Sequence, residues 1–127
     1  MKYSKVKITG TVISVLMSLL FMQSAFAKLF PEIIYPQMPE QMQKIGLPIT
    51  ILPVIATLEL LCVVIYLIPT TAVLGAILFT GYLGGAILTH LRLGESVLMH
   101  VILGGLIWLG IYLREPRLRS ILPIRKT

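Results

Sequence analysis

Four apolar runs, each nearly free of charged side chains, constrain the fold of this chain more than any other feature of its sequence. They cover residues 8–28, 49–68, 71–90 and 96–113. A helix needs about 20 largely apolar residues to cross the hydrocarbon core of a bilayer, and each run is close to that length. None carries the polar stripe of an amphipathic helix from a soluble protein. The runs therefore predict four membrane-spanning helices.

The overall composition supports the same interpretation. Apolar residues make up 57% of the 127 residues and charged residues only 13%, and the mean hydropathy is +0.93. A soluble domain of this length needs more polar surface to cover its core. The length suits one domain. We expect a single all-α membrane domain over residues 1–127.

Positive charge is concentrated at the two ends of the chain. The net charge is +6, and eight of the eleven lysines and arginines are terminal, namely Lys2, Lys5, Lys7, Arg114, Arg117, Arg119, Arg125 and Lys126. With four spans both ends share one side, and only Lys28, Lys44 and Arg92 lie opposite. Basic residues are enriched on the cytoplasmic side of membrane proteins. This pattern predicts cytoplasmic termini and contact with lipid head groups, not with nucleic acid.

The connections between the runs differ in length. Residues 69–70 and 91–95 are short joints, which force neighbouring helices to be antiparallel and predict an up-down four-helix bundle. Residues 31–48 form a longer joint with four prolines, which exclude a long regular helix. This joint is also rich in isoleucine and methionine. We expect it to lie on the outer membrane surface or over the mouth of the bundle, with its apolar side down.

The first run has a second interpretation. A basic N-terminus, an apolar stretch and Ala25-Phe26-Ala27 also match a secretory signal with its cleavage site. Cleavage would leave three spans and an N-terminus outside the cell. The apolar run is long for a signal core, which favours an uncleaved membrane anchor.

Small residues in the third and fourth runs indicate where helices touch. Gly81 and Gly85 form a GxxxG pair, and Gly104 belongs to a similar group in the fourth run. Residues without side chains let two helix backbones approach closely in a membrane. The pattern predicts packing within the bundle, and a homodimer contact is the alternative.

Glu59 is the most informative residue of the sequence, because it lies near the middle of the second run. A charge at this depth costs a few kcal/mol, so the Glu59 side chain must face the bundle interior, be paired or be protonated. We favour a function or an essential pairing for it. The polar residues that could join it in a pocket towards the outer half of the bundle are Lys28, His90, His100 and Gln23. Helical rise places both histidines ~10–15 Å from Glu59, so water, a ligand or a flexed Lys28 would have to bridge the gap. The alternative for the two histidines is an interfacial position at helix ends.

Signatures of enzymes are missing from the sequence. It has no HExxH, GxSxG, phosphate loop or GxGxxG motif. Its single cysteine, Cys62, cannot form an intramolecular disulfide, and the histidines lack the spacing of a helical metal pair. We therefore expect no resident metal or cofactor and no enzyme that acts alone.

Several short motifs, taken in order, resemble the DoxX-like family of small bacterial membrane proteins. They run from about residue 20 to residue 114 and comprise Lys28-Leu29, Gly46-Leu47-Pro48, Leu58-Glu59-Leu60, Leu67-Ile68-Pro69, Ala86-Ile87-Leu88-Thr89-His90-Leu91 and Gly94-Glu95. The resemblance implies a four-helix fold in the bacterial inner membrane, in which Lys28, Glu59 and His90 match recurrent polar positions. One departure concerns Ile49 and Thr50, which stand where the family usually has an aromatic residue.

The resemblance also suggests a function, since members of the wider group are linked to quinone-coupled sulfur oxidation and to oxidative-stress complexes. We expect an accessory membrane protein that binds a small lipophilic molecule such as a quinone around Glu59, beside a redox partner protein. The alternative is a membrane subunit of a quinone-linked oxidoreductase or oxidative-stress complex. A small transporter is less well supported, because the runs show no inverted repeat.

Overall fold

The computed structural model describes residues 4–125, and the described chain is all-α, as predicted. Its α-helices are α1 (Lys5–Leu29), α2 (Pro31–Ile34), α3 (Met38–Lys44), α4 (Leu52–Leu67), α5 (Ala72–Arg92) and α6 (Leu98–Arg114). Short 3-10 helices lie at Ile49–Ile51, Pro69–Thr71 and Pro116–Ser120. Lys2 and Lys126, two of the terminal basic residues, lie outside the described residues.

Three helical segments of the described chain are long and apolar enough to cross a membrane: Lys5–Leu29, Ile49–Leu67 and Pro69–Arg92. The fourth long helix, α6, is equally apolar but shorter, at 17 residues. Large apolar side chains cover the outward faces of these helices; Leu16, Leu58 and Ile77 are each more than half exposed. An exposed apolar surface of this extent belongs in lipid. The structure therefore supports a multi-pass membrane protein.

The four long helices pack side by side. Helix α1 contacts α4 and α6, α4 contacts α5, and α5 contacts α6. Joints of a few residues connect α4 to α5 and α5 to α6. The described chain has six helices where the sequence predicted four, because the 31–48 segment also folds into helices.

Two prolines explain the extra helices of that segment. Pro31 and Pro39 lie in the first positions of α2 and α3. A backbone N–H at these positions has no partner within the helix, so proline loses no helical hydrogen bond there. Helix α3 ends before Gly46, whose φ of 73° is a left-handed conformation that glycine adopts without strain. Met42 and Ile45 are buried against Leu52 at the start of α4. The segment therefore folds back onto one end of the long helices, whereas Ile33 remains exposed.

A compact aromatic and aliphatic core joins the long helices. The rings of Phe21 and Phe79 lie 4.7 Å apart, and Tyr66 meets Phe79 edge to face at 5.6 Å. The Tyr66 hydroxyl donates to the carbonyl of Ile107 at 2.6 Å and lies 3.1 Å from the Ser14 hydroxyl. One buried hydroxyl thus connects α1, α4 and α6, an arrangement typical of helices that pack in lipid.

The close helix contacts occur at other glycines than the GxxxG pair. A Cβ atom added to Gly75 would lie 2.4 Å from the Tyr66 Cα atom, and one added to Gly10 would lie 2.7 Å from the Gly110 carbonyl oxygen. At Gly81 and Gly85 an added Cβ would meet nothing within 4 Å. The chain therefore does not use this pair to pack its own helices, because both glycines face away from the neighbouring helices. A homodimer contact there stays a prediction.

Gly104, the third glycine expected to pack, is less tightly placed. Its added Cβ would lie 3.6 Å from the Leu83 side chain, an ordinary van der Waals distance. It therefore contacts α5 without requiring a glycine.

Candidate functional site

The centre of the candidate site is an ion pair between α1 and α4. Glu59 is almost fully buried, with 1% of its side chain exposed, and its Oε1 atom lies 3.1 Å from Lys28 Nζ. Lys28 reaches it from the last turn of α1 and is itself 18% exposed. Lys28 was one of the possible partners of Glu59 in the sequence, and in the structure its flexed side chain pairs with the carboxylate.

Ser24 and Tyr82 complete the surroundings of the ion pair. Lys28 Nζ donates to the Ser24 hydroxyl at 2.7 Å and to its carbonyl at 3.4 Å. The Tyr82 hydroxyl faces the Glu59 carboxylate from α5. Three helices therefore contribute polar groups to one buried position.

Neither hydroxyl was among the site residues predicted from the sequence. Ser24 could have been found from its spacing, because it stands four residues before Lys28 and shares its helix face. Tyr82 was harder to predict as a site residue, because its only distinguishing feature is a phenol group among the apolar residues of a predicted span.

Cys62 lies one helical turn beyond Glu59 and is a buried free thiol. It shares the face of α4 that carries the carboxylate. Tyr66, a turn further on, belongs instead to the buried link with Ser14 and Ile107. The candidate site therefore ends at Cys62.

The two histidines form a second polar group, which we call the histidine pair. His90 in the last turn of α5 and His100 in the first turn of α6 have ring centroids 4.3 Å apart. His90 Nδ1 lies 3.5 Å from Glu95 Oε2, and His100 Nδ1 is buried without a hydrogen-bond partner in the described chain. Within residues 4–125, no hydrogen bond or ion pair connects this pair to Glu59.

Gln23 does not join either group. It is exposed on α1, next to Ser24 in sequence but on a different side of the helix. One residue along a helix turns the side chain by about 100°, which is why Ser24 faces the ion pair and Gln23 does not. The expected five-residue pocket therefore divides into an ion pair, a histidine pair and an outlying glutamine.

The electrostatics of the ion pair follow from its burial. A lone carboxylate inside a membrane helix costs several kcal/mol, and a hydrogen-bonded cation offsets much of that cost. In the part of the chain that the structure describes, no three histidine, cysteine or acidic side chains are placed to hold a metal ion. The ion pair and the two hydroxyl groups beside it offer charge and hydrogen bonds.

The sequence model of the DoxX-like family matches residues 12–111. The chain belongs to the DoxX-like family. The match takes in Lys28, Glu59 and both histidines, and it confirms the resemblance drawn from the short motifs. A search of the curated proteins and a search of the solved structures found no match for this DoxX-like protein.

Proposed function

We propose that this DoxX-like protein is an accessory membrane protein that binds a small lipophilic molecule, such as a quinone, at the Lys28–Glu59 ion pair. The observation that carries the proposal is a carboxylate of α4 with 1% exposure, held by a cation and a hydroxyl group from α1 and a second hydroxyl group from α5. A group of this kind is costly inside a membrane protein and is frequently part of a binding or transfer site.

The chemistry of the site fits a quinone head group. The Lys28 ammonium and the Tyr82 hydroxyl can donate hydrogen bonds to a carbonyl oxygen, and the Glu59 carboxylate can accept one from the hydroxyl of the reduced form. Lys28 is the most exposed member of the pair, so a ligand would approach past its side chain. The exposed leucines and isoleucines outside would accommodate an apolar tail.

We also propose that all four long helices span the inner membrane of a bacterium, with both termini on the cytoplasmic side. Helix α6 has 17 residues, which at 1.5 Å per residue gives ~25 Å. That length is near the ~30 Å of the hydrocarbon core. The excess of basic residues at the termini supports the orientation.

A purely structural ion pair is the competing interpretation, and ligand-dependent stability separates the two. A benzoquinone with a short isoprenoid tail would be titrated into detergent-solubilised wild type, Glu59→Gln and the control Glu95→Gln. Glu95 is a second acid, about half exposed at 48%, outside the ion pair. Wild type and control should gain ~2.7 kcal/mol at a quinone concentration one hundred times Kd.

Glu59→Gln should gain much less stability at the same quinone concentration, because its amide replaces the carboxylate of the ion pair. An equal gain in all three proteins, or none in wild type, would contradict quinone binding at Glu59. In that case the ion pair holds α1 to α4 and does nothing else.

A further inference from the structure

A second candidate site lies at the opposite end of the long helices, in a cavity of about 640 Å³. It opens where α1 begins, α4 ends, α5 begins and α6 ends. Its walls include Lys7, Arg114 and Glu115 among polar residues, and Ile8, Val12 and Leu67 among apolar ones. None of these residues belongs to the ion pair or the histidine pair.

The charges of the cavity favour an anion. Lys7 and Arg114 each contribute a positive charge, and Glu115 contributes a negative one. Glu115 Oε1, however, already accepts from the backbone N–H and the Nε atom of Arg117, both at 3.3 Å. Lys7 is in the first turn of α1, and Ala72 on the cavity wall is the first residue of α5. Helix N-termini add further positive potential.

Arg114 has a structural task that leaves part of its guanidinium unused. Its Nη2 atom donates to the backbone carbonyl of Tyr66, and its guanidinium carbon lies 4.7 Å from the Tyr66 ring centroid. The Nε atom is buried and has no hydrogen-bond partner in the described chain. Arg114 also lines the cavity, so an anion held there would gain a charge-assisted interaction with its guanidinium.

The apolar part of the cavity determines the class of ligand. Ile8, Val12 and Leu67 continue the wall from the charged residues along α1 and α4. A free phosphate ion would leave this surface uncovered. An acyl chain would cover it, while its head group stayed beside the basic residues.

The geometry points to a specific site for one anionic phospholipid, with its phosphate at Arg114 and Lys7 and an acyl chain along Ile8 and Val12. This site is separate from the proposed quinone site and does not depend on it. Its position at the basic end of the helices matches the anionic head groups of the cytoplasmic leaflet.

Native mass spectrometry from detergent micelles with equal amounts of phosphatidylglycerol and phosphatidylcholine tests this site. Wild type should retain one phosphatidylglycerol. Arg114→Gln should retain it about tenfold less well, the effect of losing one hydrogen bond to a charged group. Arg125→Gln removes the same charge from an exposed residue near the C-terminus and should behave as wild type.

Val12→Phe provides a second variant, because Arg114 also holds the Tyr66 carbonyl and its loss could disturb the fold. Val12 is exposed on α1 and lines the apolar wall. A phenyl ring there fills the path of the acyl chain without changing the charge. It should also lower phosphatidylglycerol retention, while circular dichroism remains that of wild type.

Three results would overturn the phospholipid site. The first is equal retention of both lipids by wild type, and the second is an equal loss in Arg125→Gln and Arg114→Gln. The third is complete displacement of the lipid by soluble glycerol phosphate, which would show that the cavity recognises a free phosphate compound. Retention of phosphatidylglycerol by folded Val12→Phe would likewise contradict the placement of the acyl chain.

Discussion

At the scale of single residues, the Lys28–Glu59 ion pair places two opposite charges within helices that face lipid. The buried Glu59 carboxylate depends on Lys28 more than Lys28 depends on it, because Lys28 is 18% exposed and Glu59 only 1%. Ser24 and Tyr82 supply the remaining hydrogen bonds. The distance of 3.1 Å between Lys28 Nζ and Glu59 Oε1 is short enough for a hydrogen-bonded ion pair.

Removing one member of the pair should therefore be worse than removing both. Lys28→Met should lower the free energy of unfolding by about 3–5 kcal/mol, because it leaves the buried carboxylate without its cation. The double variant Lys28→Met, Glu59→Leu should recover most of that loss, since no charge remains in the apolar interior. Denaturant unfolding in detergent checks both values. A double variant less stable than Lys28→Met would contradict this description of the pair.

At the scale of elements, the packing of the four long helices depends on a few close contacts between backbones. Gly75 is in contact with the backbone of Tyr66, and Gly10 lies against α6 near Gly110. The Tyr66 hydroxyl then joins three helices at the same level. Side chains larger than hydrogen at these glycines would separate α4 from α5 or α1 from α6.

Two glycines of α5 make a matched pair of variants. Gly75→Ala should destabilise the protein by about 1–3 kcal/mol, because the added methyl group overlaps the Tyr66 backbone. Gly85→Ala adds the same methyl group in open space and should be neutral or stabilise the helix by up to ~1 kcal/mol. Thermal unfolding in one detergent compares them. Equal losses in the two variants would contradict the packing at Gly75.

The helices could be predicted from the sequence far better than the contacts between them. Hydropathy is a local property, so the apolar runs indicated α1, α4 and α5 as membrane segments. The partner of Glu59 lies 31 residues away in sequence, and local patterns give no distance between helices. Gly10 and Gly75 stand outside any GxxxG pair, so that motif did not indicate their close contacts. Gln23 was expected in the pocket because it lies at a suitable depth in the membrane, but the prediction did not consider which face of α1 it occupies.

At the scale of the whole molecule, polar groups occupy both ends of an apolar body. The ion pair, the histidine pair and the folded 31–48 segment lie towards one end, and Lys7 and Arg114 lie at the other. This division matches the proposed orientation, in which the basic end meets the cytoplasmic leaflet.

Single-cysteine labelling tests that orientation. Cys62→Ala provides a background without thiols, since it removes the one cysteine of the sequence. Ser96→Cys lies between α5 and α6, and Ser120→Cys lies beyond α6; both positions are exposed. A membrane-impermeant maleimide added to intact bacteria should label the outer leaflet side, hence Ser96→Cys and not Ser120→Cys. The reverse pattern, or labelling of both, would contradict cytoplasmic termini.

Ligand binding at the ion pair is best tested by native mass spectrometry of the gently solubilised protein, with wild type beside the double variant Lys28→Met, Glu59→Leu. The double variant keeps an apolar, packed interior but has no ion pair. Wild type should carry a bound lipophilic molecule, which fragmentation identifies, and the folded double variant should not. If both proteins carry the same molecule, or neither carries one, the ion pair serves only to hold α1 against α4.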